Sequence, residues 1–241
     1  VTLRNKLNTK FLSILSSIKK INIIGAGPGG LTAAMLLAKR GFKVTLFEKE
    51  KRVGGRNAAI IQNGYKFDLG PTFLMMKFIL DEVFEEAGRN VDDYMEFKRL
   101  EPMYRLQFDD VRLEPTTVKE AMMQQLETSF PGSSEGYEKF MKTESVRFDR
   151  MYPCLQKDYS SYKKFLSFDL LKALPKLSLG RSLIGVLGDY FKSEKLKLSF
   201  TFQSKYLGMS AWDCPGAFGI LPYVEHAYGV YHVTGGLSEI S

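Results

Sequence analysis

The chain has 241 residues, with 34 Lys and Arg against 27 Asp and Glu, and 44% of it is hydrophobic; at about 150 residues per domain this is one large domain or two small ones, and a disordered or collagen-like chain is excluded. Its longest apolar runs fall far short of the roughly 18 residues of a membrane-spanning helix, and two cysteines 60 positions apart, Cys154 and Cys214, exclude a disulfide framework and fit a reducing, cytoplasmic compartment. Two histidines, His226 and His232, supply no multi-histidine metal centre, so no metal site is expected, and a net charge of +7 leaves nucleic acid, an anionic membrane surface and plain solubility open.

The first predicted element is a basic extension over residues 1–19. Leu7, Phe11, Ile14, Leu15 and Ile18 recur at helical spacing among Arg4, Lys6 and Lys10, with Lys19 and Lys20 following. The pattern suits an amphipathic helix lying on a membrane surface, and equally a poorly ordered extension. No small-residue cleavage site of a secretory signal precedes the next strand.

Ile21-Asn22-Ile23-Ile24 reads as a short buried strand running into Gly25-Ala26-Gly27-Pro28-Gly29-Gly30. Leu31 to Arg40 reads as a helix with small Ala33 and Ala34, ended by Lys39-Arg40-Gly41. A second strand, Lys43 to Phe47, ends at Glu48, 23 positions after Gly25. In such a unit Gly25 makes the tight turn, Gly27 lets a pyrophosphate reach the backbone, and Gly30 lets helix and strand close up. The helix N-terminus offers unpaired N–H groups to the diphosphate, and Glu48 can accept hydrogen bonds from both ribose hydroxyls while repelling a 2′-phosphate. The pattern predicts an ADP-containing dinucleotide and disfavours NADP.

A second glycine pair follows in Lys51-Arg52-Val53-Gly54-Gly55-Arg56, with Arg56 offering a charge to the diphosphate. Ala58 to Gln62 and Tyr65 to Leu69 flank Asn63-Gly64, a two-residue hairpin signal, and lead into Asp68-Leu69-Gly70-Pro71-Thr72.

With these pieces the sequence resembles the phytoene-desaturase-type flavoproteins of carotenoid synthesis, within the amine-oxidase-like FAD superfamily. The matching stretches are IIGAGPGGLTAAMLLAKRGFKVTLFEKEKRVGGR, GYKFDLGPTFLMM, LEPMYRLQFDD and ILPYVEHAYGVYHVTGGLSEIS. The resemblance covers nearly the whole chain from Lys20 onward and is nearest to bacterial enzymes acting on C30 or C40 polyisoprenoids. It implies non-covalent FAD, with Gly25, Ala26, Gly27, Gly29, Gly30, Glu48, Lys49, Gly54, Gly55 and Arg56 as cofactor contacts. It also implies that Gly70, Pro71 and Thr72 form the loop beside the flavin ring. The expected class is α/β, a Rossmann-type FAD-binding domain (20–75) with an inserted α+β substrate domain (76–241). These flavoproteins usually run to about twice this length, so a fragment or truncated gene product is expected, with sheet edges and apolar surface left uncovered.

Further along, Phe78 to Ala87 reads as a helix closed by Gly88, Tyr104 to Phe108 and Val111 to Leu113 as hairpin strands, and Thr117 to Phe130 and Ser134 to Leu155 as helices. Tyr162 to Leu166 and Leu170 to Leu177 mix large apolar residues with lysines, as suits a peripheral membrane contact or, equally, a solvated helical cap. No stacking motif for nucleic acid is seen, and the oligomeric state is not predicted.

The resemblance implies a long apolar isoprenoid substrate in an apolar tunnel, with hydride leaving an allylic carbon for the flavin. No catalytic residue is assigned: Glu225 and His226 lie in a helix-like run, Gly216 to Tyr228, and are expected on its surface. Redox-neutral or reverse chemistry of the isomerase or saturase type, and a truncated inactive FAD-binding module, stay open beside desaturation.

Overall fold

The computed structural model describes residues 19–161 and 167–241. The expectations for residues 1–18 and for Tyr162 to Leu166 fall outside them. The chain divides into two units, one holding residues up to Lys98 together with Tyr231–Ser241, the other Arg99–Val230.

In the first unit β1 (Lys20–Ile24) and β2 (Lys43–Phe47) pair in parallel, Ile21 opposite Val44 and Ile23 opposite Leu46. Between them runs α1 (Pro28–Lys39), which starts three residues earlier than its apolar spacing suggests because Pro28, its φ preset, stands in the first turn after Gly27. Its end is a Schellman motif: Phe42 N–H donates to the Leu37 carbonyl at 3.1 Å and Gly41 N–H to that of Ala38 at 3.0 Å, with Gly41 at φ +85°. Next come a 3-10 turn, Gly55–Asn57, and the antiparallel hairpin of β3 (Ala59–Gln62) and β4 (Tyr65–Asp68). Asn63 (φ 52°) and Gly64 (φ 81°) make its turn. Ile60, Ile61, Tyr65 and Phe67 on this hairpin are exposed, as are Ile24 and Phe47 at the strand ends.

After β5 (Leu74–Met75) the helix α2 (Lys77–Glu86) is closed by Gly88 at φ +73°. A three-stranded sheet then places the returning strand Val230–Val233 between β5 and β6 (Phe97–Arg99). The last residues fold back onto the hairpin. The Asp68 carboxylate accepts the N–H groups of Leu237 (2.9 Å) and Ser238 (3.2 Å), capping a 3-10 turn, Leu237–Ile240. Asn57 Nδ2 donates to the Leu237 carbonyl at 2.8 Å, and Lys66 pairs with Glu239. Partial burial pushes the Asp68 carboxyl up, but the bonds from Leu237 and Ser238, helped by Lys66, outweigh it and hold the group below its usual range. Asp68→Ala should therefore cost about 1 kcal/mol, the worth of a helix cap. Amide exchange should accelerate at Leu237 and Ser238 first; unchanged protection there would contradict the cap.

The second unit holds a short hairpin, β7 (Leu106–Gln107) with β8 (Arg112–Leu113), then α3 (Lys119–Ser129) and α4 (Ser134–Leu155). Shorter helices follow: α5 (Phe168–Ala173), α6 (Leu183–Leu187), α7 (Glu194–Ser199) and α8 (Ile220–Tyr228), after which β9 (Val230–Val233) returns to the first unit's sheet. Its core is aromatic. Phe200 packs against Phe140 (5.2 Å between ring centroids) and Phe191 (4.7 Å), arrangements worth about 0.5–1.5 kcal/mol each beyond their buried area. Within this core α4 carries an ion pair, Glu144 with Arg147. No helix of the described residues is long and apolar enough to cross a membrane.

Candidate functional site

The glycine-rich turn after β1 is built by two different constraints. Gly25 sits at φ +98°, and its N–H donates to the Phe47 carbonyl at 2.7 Å, tying the end of β1 to the end of β2. Gly30 is fixed by space instead: a Cβ there would lie 2.0 Å from the Gly25 carbonyl oxygen. Gly27 and Gly29 answer to neither constraint. Neither has a positive φ, and a Cβ on either would meet nothing within 4 Å. Fold alone does not ask for glycine at these two positions, whereas a ligand laid against the backbone does.

The N-terminus of α1 opens onto that space. Gly27 caps it without any side-chain hydrogen bond, and no acidic residue stands in its first turn. Its unpaired N–H groups and partial positive charge are the arrangement a diphosphate requires. Glu48, just after β2, reaches back to the same turn: Oε2 accepts Ala26 N–H at 2.7 Å and Oε1 accepts Glu50 N–H at 2.9 Å. Those two bonds, that from Glu50 first, hold its carboxyl below the usual range. Each oxygen keeps a second lone pair for a ribose hydroxyl.

The second glycine pair closes on the first. Gly54 N–H donates to the Ala26 carbonyl at 2.7 Å, and a Cβ on Gly55 would lie 3.2 Å from Gly27 Cα. Gly54 and Gly55 have φ of 110° and 55°, so both conformation and contact favour glycine. Arg56 is exposed, and its guanidinium makes no ion pair among the described residues. Gly70 joins the set through the Arg56 backbone, since a Cβ there would lie 2.2 Å from the Arg56 carbonyl oxygen; Pro71 and Thr72 follow it, exposed. Lys49 is exposed beside Glu50 at 3.6 Å. A cleft of about 460 Å³ flanks Gly55, lined among others by Lys51, Arg52, Ala58, Ile60 and Leu69.

The turn, Glu48 and both glycine pairs thus form one contiguous surface, and the residues present fit an ADP-containing dinucleotide. Sequence reasoning missed Asn57 and Asp68, which hold the final turn against this region. Asp68 stands inside a stretch that the resemblance rests on, FDLGPT, and that Gly-containing polar stretch is the one signal that marked it.

In the second unit the structure corrects one expectation. Glu225 and His226 are not on a helix surface but buried. Glu225 accepts from Gln203 Nε2 (2.7 Å), Tyr104 Oη (3.0 Å) and Tyr206 Oη (3.3 Å). Burial raises its carboxyl, and the three donors pull against that. His226 Nδ1 lies 3.0 Å from Tyr137 Oη and its ring stacks on Phe200. Burial pushes it down to about 3, so it stays neutral. Both residues brace the core of this unit.

Comparison with known proteins agrees with this geometry. The family description "NAD(P)-binding Rossmann-like domain" matches residues 23–85. A 4,4'-diapophytoene desaturase (4,4'-diapolycopene-forming) of Methylomonas sp is 53% identical over 227 residues, 94% of this chain and 44% of that protein. A 4,4'-diapolycopen-4-al dehydrogenase of Metabacillus indicus is 34% identical over 223 residues, 92% of this chain and 45% of that protein. Among solved structures, cyclohexylamine oxidase from Brevibacterium oxydans IH-35A superposes with a TM-score of 0.55 at 18% identity, over 92% of this chain and 47% of its own, a likeness of fold. The chain therefore spans less than half the length of the curated relatives it matches. The glycine-rich turn is thus the best-formed site of a chain that is similar, along nearly all of its residues, to a 4,4'-diapophytoene desaturase.

Proposed function

We propose that the protein carrying this chain is an FAD-dependent oxidoreductase that desaturates a polyisoprenoid carotenoid precursor of the diapophytoene or phytoene type. The observation that carries the reading is the 53% identity to a diapophytoene desaturase along 94% of the chain. The open cradle above Gly27 and Gly29 supports its cofactor half. In this reading Gly25, Ala26, Gly27, Gly29 and Gly30 seat the diphosphate together with Gly54, Gly55 and Arg56. Glu48 takes the ribose, with Lys49 beside it, and Gly70, Pro71 and Thr72 flank the flavin ring. When bound, FAD would accept a hydride from an allylic carbon while a proton leaves the neighbouring carbon, which forms the new double bond. The residues of this chain bind and orient it and keep water out. The first unit carries the cofactor and the second belongs to the substrate side. A hydrocarbon of this kind dissolves in lipid, so the protein works as a peripheral protein at a membrane surface, in the cytoplasm.

Titration with FAD, followed by flavin fluorescence, tests the cofactor half. Glu48→Ala should weaken binding about tenfold or more, through lost charge-assisted bonds to the ribose; equal affinity would remove Glu48 from the site. Supplying diapophytoene or phytoene with FAD to the protein carrying these residues tests the chemistry. Desaturation lengthens the conjugation and brings absorption into the visible, which isomerisation at constant double-bond count does not. Flavin binding with no such absorption from either hydrocarbon would overturn the desaturase reading alone.

A further inference from the structure

Asn57 and Asp68 stand at the edges of the two loops that the cofactor reading uses: Asn57 follows Arg56 directly, and Asp68 precedes Gly70 by two residues. Both reach the same distant piece of chain, the turn of residues 235–241 that follows β9. Asn57 Nδ2 donates to the Leu237 carbonyl (2.8 Å) and to Ser241 Oγ (3.3 Å). The Asp68 carboxylate takes the Leu237 N–H on one oxygen and the Ser238 N–H on the other. Between them Lys66 Nζ donates to the Gly235 carbonyl at 2.8 Å. The turn also touches the loops themselves. A Cβ on Gly54 would lie 3.1 Å from Ser241 Oγ, and one on Gly236 would lie 2.8 Å from Asp68 Oδ2. The two loops press on each other in turn, since the Arg56 carbonyl leaves no room for a Cβ on Gly70. Residues 54–56, residues 70–72 and the turn therefore form one closed set, in which a shift of any member displaces the others.

Asn57 is buried with its amide donors engaged, and each Asp68 oxygen already accepts a backbone N–H. Both side chains act on a ligand through the chain they hold. We propose, resting on the FAD reading above, that Asn57 and Asp68 are positioning residues of the cofactor site: through the turn 235–241 they fix how the second glycine pair and the Gly70–Thr72 loop stand to each other, and so the shape that FAD meets. A brace that only steadied the hairpin would be indifferent to FAD. A positioning brace is not, because coupling between two equilibria is reciprocal: what closure of the turn adds to FAD affinity, FAD adds to closure of the turn.

Amide exchange at Leu237 and Ser238 in the protein carrying these residues, with and without FAD, reads that coupling without any turnover. Where exchange proceeds by local opening of the turn, saturating FAD should slow it about tenfold. Asn57→Ala/Asp68→Ala should weaken FAD binding by a like factor, about tenfold, at a temperature where the variant is folded. Asp68→Asn keeps an acceptor and a good cap, so it should lose less affinity than Asp68→Ala. Equal losses in those two would assign the effect to the charge rather than to the held turn, and would overturn the proposal. So would unchanged exchange at Leu237 and Ser238 under saturating FAD, a result the parent gives alone if the double variant does not fold. FAD affinity equal to the parent's in the folded double variant would overturn it as well. A parent that binds no FAD at all would instead sink the cofactor reading, and the positioning role with it.

Discussion

Alanine at Gly30 is expected to weaken FAD binding and to destabilise the first unit, whereas alanine at Gly27 is expected to weaken FAD binding about a hundredfold with little effect on stability. The contrast comes from what each added methyl would meet. At Gly30 the Cβ would lie 2.0 Å from the Gly25 carbonyl oxygen, a backbone atom that cannot swing aside as a side chain can. The helix must move off the turn, and overpacking of this kind costs on the order of 1–3 kcal/mol or more. At Gly27 φ is −74° and no atom lies within 4 Å of the added methyl, so the change asks only the small penalty of alanine at a helix N-cap. The loss of affinity there has to come from the ligand. A diphosphate resting on the Gly27 backbone would be pushed off by about a methyl's width, and a hundredfold corresponds to about 2.8 kcal/mol of displaced charge-assisted bonding. Thermal midpoints and flavin titrations on the two variants separate the cases. If Gly27→Ala binds FAD as well as the parent, the space above that residue is not where the diphosphate sits.

The parts of this site that a sequence discloses are those made by local contacts. β1, α1 and β2 follow one another with Pro28 at the start of the helix and Gly41 at its end, and Asn63-Gly64 fixes its hairpin, because each signal acts on the few residues beside it. The closing of Gly55 on Gly27 also has a trace, since two glycine clusters that serve one ligand must come together. Asp68 and Asn57 leave no such trace. Their partners lie 169 and 180 positions away, and a carboxylate capping a distant turn looks, residue by residue, like an ordinary loop acid. Glu225 and His226 mislead for the opposite reason: two polar residues in a helical run suggest a solvent face. The better signal is the rest of α8, ILPYVEHAY, which is apolar or aromatic all round, and such a helix is buried and must bring partners for its polar groups.

Arg147→Met is expected to cost far more stability at pH 8 than at pH 5. Arg147 and Glu144 face each other one helical turn apart on α4, Nε to Oε2 at 3.2 Å, both nearly sealed from solvent. Arg147 also donates to the Gly216 carbonyl at 2.6 Å and to Ser178 Oγ at 2.9 Å. Burial pushes the Glu144 carboxyl up to about 7, against the pull of Arg147 and a bond from Tyr190. An acid raised in the folded state holds a proton that the unfolded chain releases, so stability is greatest below the ordinary value of 4.5 and falls as pH rises from there through about 7. Removing Arg147 removes the attraction that limits this rise and extends the window upward. At pH 8 the variant must bury an unpaired carboxylate or take up a proton, a loss of about 3–5 kcal/mol for a broken buried pair. At pH 5 Glu144 is already protonated, and only the bonds to Gly216 and Ser178 are lost, on the order of 1–3 kcal/mol. Urea midpoints of parent and variant at the two pH values read the difference directly, and equal losses at both would mean that Glu144 is ionised throughout. Glu144→Gln/Arg147→Met, with nothing left to titrate at this place, should cost less relative to the parent at pH 8 than at pH 5, because only the parent loses stability as Glu144 ionises, which assigns the pH dependence to this pair and not to the tyrosines and the second carboxylate, Glu225, elsewhere in the unit.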